Sequence, residues 1–168
     1  SFELSPQGVI LRSRPLSLRI DGLLPVPVSG DLSLSVDTGG SSRAAFAGSV
    51  GSVRLAAQGA LHADAQQPFF ASVDVWNASP AAVEQIWAAW PFRSSLELHA
   101  ELQGTLEGAN LVGALNLGEG RAYLGGKLNA DRALGVALEL EAAGLQLASL
   151  MPNAPEGRVS LSARLKAW

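Results

Sequence analysis

Two histidines carry the only side chains that titrate near neutral pH. His62-Ala63-Asp64 sets an imidazole beside a carboxylate in one polar loop, and His99 stands in the run Leu96-Glu97-Leu98-His99-Ala100-Glu101-Leu102. A serine hydrolase would need such an imidazole beside a nucleophile held on a strained elbow. No Gly-x-Ser-x-Gly elbow is present, so each His reads as a solvated side chain on a loop or strand face. No His-x-x-x-His or His-x-x-Glu spacing offers a metal ion two ligands on one face. The absence of cysteine excludes disulfides, thiolate metal sites and a cysteine nucleophile. Gly118-Glu119-Gly120 and Gly125-Gly126 follow no strand–loop–helix pattern, so they read as turn and close-packing residues and not as a phosphate cradle. Asn77-Ala78-Ser79 matches a glycosylation acceptor only formally, because Ser79 is placed to cap a helix. The expectation is a chain with no catalytic residue, no metal and no cofactor, and thus not an enzyme.

The tryptophans are a more pointed set. Trp76, Trp87 and Trp90 fall in or beside one segment, with Trp168 apart from them. Trp87 and Trp90 either pack that segment over a sheet end or act as a gate or cap at the edge of an apolar groove.

Those residues have to be positioned by strands. Leu16-Ser17-Leu18-Arg19-Ile20, Leu32-Ser33-Leu34-Ser35-Val36 and Val53-Arg54-Leu55 alternate apolar with polar, as do Leu96 to Leu102, Leu134 to Leu140 and Val159 to Leu165. A period of two sends one set of side chains to each face of a strand. Strands are therefore predicted at 8–11, 15–20, 28–36, 43–50, 52–61, 69–75, 94–106, 109–117, 121–129, 134–141 and 157–166. Gly22 to Pro27 reads as an irregular crossing, since its prolines lack a ladder N–H.

One helix interrupts the alternation. Ser79 can cap it, Pro80 suits its first position and Pro91 ends it, while Val83, Ile86, Trp87 and Trp90 share a face. A short helical or irregular segment is expected from Leu145 to Met151. The fold class is accordingly all-β, mainly antiparallel: a curved, taco-like or open-sandwich sheet with one short capping helix near residues 80–90. A dry, fully packed sandwich is the competing architecture.

Composition agrees. The chain is 48% hydrophobic and only 16% charged, against about 25% in an ordinary domain, with Gly, Ser and Ala making up the difference. A net charge of −3 and scattered Arg leave no basic stripe, which excludes nucleic acid as a partner. No apolar run approaches the ~20 residues that span a bilayer. The 168 residues read as a single β-rich domain, 1–168, and as a piece of a longer protein. A weak repeat relates 68–104 to 134–168, since Ser72 to Val75 matches Ala137 to Leu140 in pattern.

Val136 to Leu140, then Leu145-Gln146-Leu147-Ala148-Ser149-Leu150-Met151-Pro152, then Gly157 to Leu165 together resemble the AsmA/TamB-like superfamily of bacterial envelope proteins. Leu102 to Gly108, followed by Leu111 to Leu115, is similar to its Gly-spaced strand pairs. The resemblance covers roughly the last hundred residues well and the first seventy loosely. It implies a periplasmic chain, anchored to the inner membrane outside this sequence, that guides phospholipid acyl chains along an apolar β-groove without catalysis. The groove candidates are Leu96, Leu98, Leu102, Leu111, Leu115, Leu117, Leu124, Leu128, Leu138, Leu140, Leu161 and Leu165. The segment Gly22 to Leu32 is also similar to the N component of type II secretion. That alternative implies a scaffold or assembly factor meeting envelope or secretion proteins through its sheet edges.

Overall fold

The computed structural model describes residues 2–18, 26–64, 66–90, 92–105, 107–129, 135–150, 153 and 155–167. Arg19, Ile20, most of the crossing after Gly22, Pro91, Leu106, Leu134, Met151 and Trp168 lie outside them.

Each predicted strand forms over its described residues, and Phe2–Ser5 adds a strand outside those predicted. The strands are β1 (Phe2–Ser5), β2 (Gly8–Leu18), β3 (Val28–Asp37), β4 (Ser41–Val50), β5 (Val53–His62), β6 (Phe69–Ala78), β7 (Leu96–Thr105), β8 (Gly108–Leu117), β9 (Gly120–Asn129), β10 (Gly135–Gln146) and β11 (Arg158–Ala167). All pair antiparallel with their sequence neighbours in one eleven-stranded sheet, ordered β1 to β11, which does not close into a barrel. The two stretches predicted at 8–11 and 15–20 are one strand, β2, whose register shifts between Ser13 and Leu16. A bulge lets the alternation restart without breaking the ladder.

The helix is shorter than its composition suggests. α1 spans Pro80–Glu84, and Ser79 Oγ accepts the Ala82 N–H at 3.3 Å. Beyond Glu84 the backbone continues in isolated turns, with the Ile86 and Trp87 N–H groups on the Val83 carbonyl and Trp90 N–H on Trp87. Packing explains this: Ile86 and Trp90 both reach the cluster of Val53, Ala78, Ala82 and Val83 on the sheet end. Five residues of helix are too few to hold against that pull. α2 covers Leu147–Leu150, so Leu145 and Gln146 belong to β10.

Four strands make a repeating unit. β3–β6 and β7–β10 follow the same path at a spacing of 67 or 68 residues, from Val28 and Leu96 to Ala78 and Leu145. Each unit has a two-residue hairpin whose first residue is a left-handed glycine, Gly51 (φ 58°) or Gly118 (φ 60°). That position matches the twist of the flanking strands. Gly51 N–H donates to the Pro27 carbonyl and Gly118 N–H to Ser95, each acceptor lying just ahead of its unit. The last strand of each unit carries a register shift, between Val75 and Ala78 and between Ala142 and Leu145. Aligning on these bulges matches Val75 with Ala142 instead of Leu140, a two-residue slip that keeps both faces.

The sheet is one layer thick. Among the described residues no large side chain is fully buried, and the chain exposes 11090 Å². A compact chain of 17.4 kDa would expose about 7,900 Å². The dry sandwich is therefore not the architecture: all the described strands belong to one sheet.

Candidate functional site

Register decides what each face carries. One cross-strand row runs Phe2, Leu11, Leu34, Ala44, Gly59, Ala71, Leu102, Leu111, Gly126, Leu138 and Leu165, one position from every strand. A neighbouring row runs Leu55, Val75, Leu98, Leu115, Ala122, Ala142 and Leu161. Neither row contains a charge. The alternate positions hold Asp31, Arg43, Gln58, Asp74, His99, Glu101, Lys127, Glu139 and Arg164, with Val112 and Tyr123 as exposed apolar exceptions.

The twelve sequence-predicted leucines all take register positions on the apolar face. Leu96 and Leu117 pair with each other, as do Leu98 with Leu115 and Leu102 with Leu111. Leu124 pairs with Gly113 and Leu128 with Ala109. Leu138 pairs with Gly126 and Leu165, Leu140 with Leu124, and Leu161 with Ala142. The side chains of Leu138 and Leu140 lie outside the described set.

Eleven strands about 4.8 Å apart, all but the four-residue β1 ten to twelve residues long at about 3.3 Å each, give a face of roughly 50 by 33 Å. Soluble monomers rarely leave more than a few hundred Å² of contiguous apolar surface open. Here exposure is concentrated on β2–β5 and on β11, whereas the described apolar-face residues of β6–β9 are half-buried or buried, Ala109 at the end away from α1 among them. Val53 and Leu117 are 5% exposed at the end where α1 packs, whereas Val36 and Leu61, near the opposite ends of their strands, are 50% and 48% exposed. On the edge strand β11, Leu161 and Leu165 are more than half exposed.

At that open end lies a cleft of about 510 Å³ lined by Leu34, Val36, Ala44, Leu61, Phe69 and Ala71. Its volume falls in the range of small-ligand sites. None of these residues is among the leucines singled out by sequence. The signal was the same alternation in Leu32 to Val36, with Phe69 and Leu61 brought beside it by pairing through β4 and β5. A second cleft, about 380 Å³, sits on the opposite face over Ala45, Ala47 and Ala56, with Asp31, Ser72 and Asp74 around it.

Trp76, Trp87 and Trp90 lie at the covered end. Trp90 packs on the α1 cluster, edge-on to Trp87 at 5.6 Å and to Phe92 at 5.0 Å. Trp87 itself is 54% exposed.

The histidines stand apart from this surface. His62 Nδ1 accepts the Asp64 N–H at 3.1 Å, which makes it a turn residue. His99 is held more firmly than a solvated side chain: Nδ1 lies 2.6 Å from Asp74 Oδ1 and Nε2 lies 3.3 Å from Glu101 Oε1. Its pKa is raised, chiefly by the hydrogen bond to Asp74, with the nearby carboxylate charges adding to it. Both ring nitrogens thus face carboxylates, and neither faces a hydroxyl nucleophile. Among the described residues no group of three His, Cys, Asp or Glu is arranged to hold a metal ion, and no helix is long and apolar enough to cross a membrane.

No family model matches the chain, and comparisons with curated proteins and with solved structures return no match.

Proposed function

We propose that the chain binds and guides acyl chains of phospholipid along its apolar face, as a non-enzymatic conduit segment of a bacterial envelope protein in the periplasm. One observation carries this reading: a single-layer sheet on which one apolar row crosses all eleven strands and a second crosses seven, neither with a charge. Such a surface in water costs about 25 cal/mol for each Å² left exposed, and an apolar guest recovers that energy. A phospholipid tail occupies about half of a ~30 Å hydrocarbon core. Strands ten residues long, about 33 Å, hold such a tail with room beyond it.

Native mass spectrometry with lipid extraction, on protein purified from a membrane-containing bacterial lysate, tests it. Near-stoichiometric phospholipid is the expected result. A lipid-free monomer that also takes up no added phospholipid overturns the conduit. It would favour the scaffold reading, for which the unpaired edge of β11, ten residues long, is the available surface.

A further inference from the structure

We infer that the α1 end of the sheet docks onto the headgroup interface of a phospholipid bilayer. The proposal goes beyond acyl-chain binding and is measured separately from it. Three observations converge at this end. Trp76 and Trp87 are each half exposed there, on opposite sides of the α1 segment in sequence. The Trp90 Nε1–H is buried without a hydrogen-bond partner, alone among the described side-chain nitrogens and oxygens. Exposed arginines accompany the aromatics: Arg54 is the cross-strand partner of Trp76, and Arg93 follows Phe92.

Indole is apolar over its rings and polar at one N–H, so it is enriched where hydrocarbon meets headgroups. Arg donates to phosphate oxygens beside it. Headgroup oxygens are also the acceptors that a small shift of Trp90 would give its unpaired N–H. Charge does not separate the two ends, because the connections at the α1 end hold Glu84, Glu119 and Glu156 beside Arg93; the exposed indoles do, since none lies at the opposite end among the described residues. A protein partner pairing with the edge of β11, which begins at this end with Arg158, is the less favoured occupant, since it would leave the exposed indoles of Trp76 and Trp87 unused.

The test is partition onto vesicles of phosphatidylcholine with one quarter phosphatidylglycerol, in a Trp168→Phe background. Phosphatidylcholine carrying bromine near the top of its acyl chains is the quencher. Strong quenching of Trp emission is expected. Trp87→Ala with Trp76→Ala should weaken partition about tenfold or more, from the indole area removed. Both residues are half exposed, so an unchanged circular dichroism spectrum is expected. Tyr123→Ser, at an equally exposed aromatic on the polar face, should leave partition unchanged. Absent quenching overturns the proposal, as does partition unaltered by the double substitution or weakened equally by Tyr123→Ser. Lipid occupancy measured by mass spectrometry on the same samples reports the groove independently, so docking can fail while the conduit stands, and the reverse.

Discussion

Leu115→Asp separates an open apolar face from a packed core. Leu115 sits towards the α1 end of β8, two residues from the covered Leu117, between Leu98 of β7 and Ala122 of β9, and is half-buried. With no second layer above it, the new carboxylate reaches water in the free protein. The folding cost is then the lost leucine burial, about 1–2 kcal/mol, and the variant stays folded. A bound acyl chain changes this, because it would strip water from the carboxylate. Burying even a neutral polar group without a partner costs about 2–7 kcal/mol. A cost of about 3 kcal/mol weakens binding roughly 100-fold.

The guest also raises the carboxyl pKa above the ordinary value of about 3.9. The penalty therefore holds at neutral pH and fades as pH falls through the raised value. Displacement of a fluorescent fatty acid, with the variant-to-parent affinity ratio followed from pH 7 to pH 4, reads this directly. A folded variant with an unchanged ratio at pH 7 would refute the placement of acyl chains over β8. An unfolded variant would refute the open face itself.

The backbone and the polar face give two further tests. A Cβ on Gly48 would lie 2.1 Å from the Ser29 carbonyl and 2.6 Å from the Gly30 Cα, both backbone, so Gly48→Val should destabilise the sheet by about 2–3 kcal/mol in urea unfolding. On the polar face, His99 has a raised pKa, so its pairing with Asp74 stabilises the fold fully below the ordinary value of 6.5 and loses that contribution as pH rises through the raised value. The melting temperature should therefore fall between pH 6 and pH 9 by more in the parent than in Asp74→Asn, and an identical pH profile for the two would remove the pairing from the account.

The strands were legible because their alternation is a local property, and one row of side chains suffices to show it. Val28 to Val36 reads as a strand whatever lies beside it. The depth of the repeat was not legible in the same way. Its marks are a left-handed glycine in a two-residue turn, at Gly51 and Gly118, and a bulge in every fourth strand. Neither leaves a fixed residue pattern: the bulge in β6 centres on Trp76-Asn77, with Asn77 at φ 43°, and that in β10 on Ala143-Gly144, with Gly144 at φ 68°. The helix was misjudged in length because Ala81 to Trp90 favours helix residue by residue, while the cluster at Val53 draws Ile86 and Trp90 onto the sheet. The cleft at Leu34, Ala44, Leu61 and Phe69 was not legible because it joins residues from four strands, each unremarkable alone.

The bulges and the helical connections fall at one end for a shared reason. A strand with an extra residue twists more strongly and leaves its ladder at an angle. The chain that follows cannot close in a two-residue turn and has to cross the sheet end. β6 is followed in this way by α1, and β10 by α2. The described connections at the opposite end are turns and the loop after His62, and the face there stays exposed at Val36 and Leu61 while Val53 and Leu117 are covered. This asymmetry sets a direction for a guest. Along the strands an acyl chain meets the packed α1 end, whereas across them the row from Leu11 through Leu34, Ala71, Leu102 and Leu111 to Leu165 presents apolar side chains and glycine without a charge. Movement across the strands is the path on which no group must be desolvated.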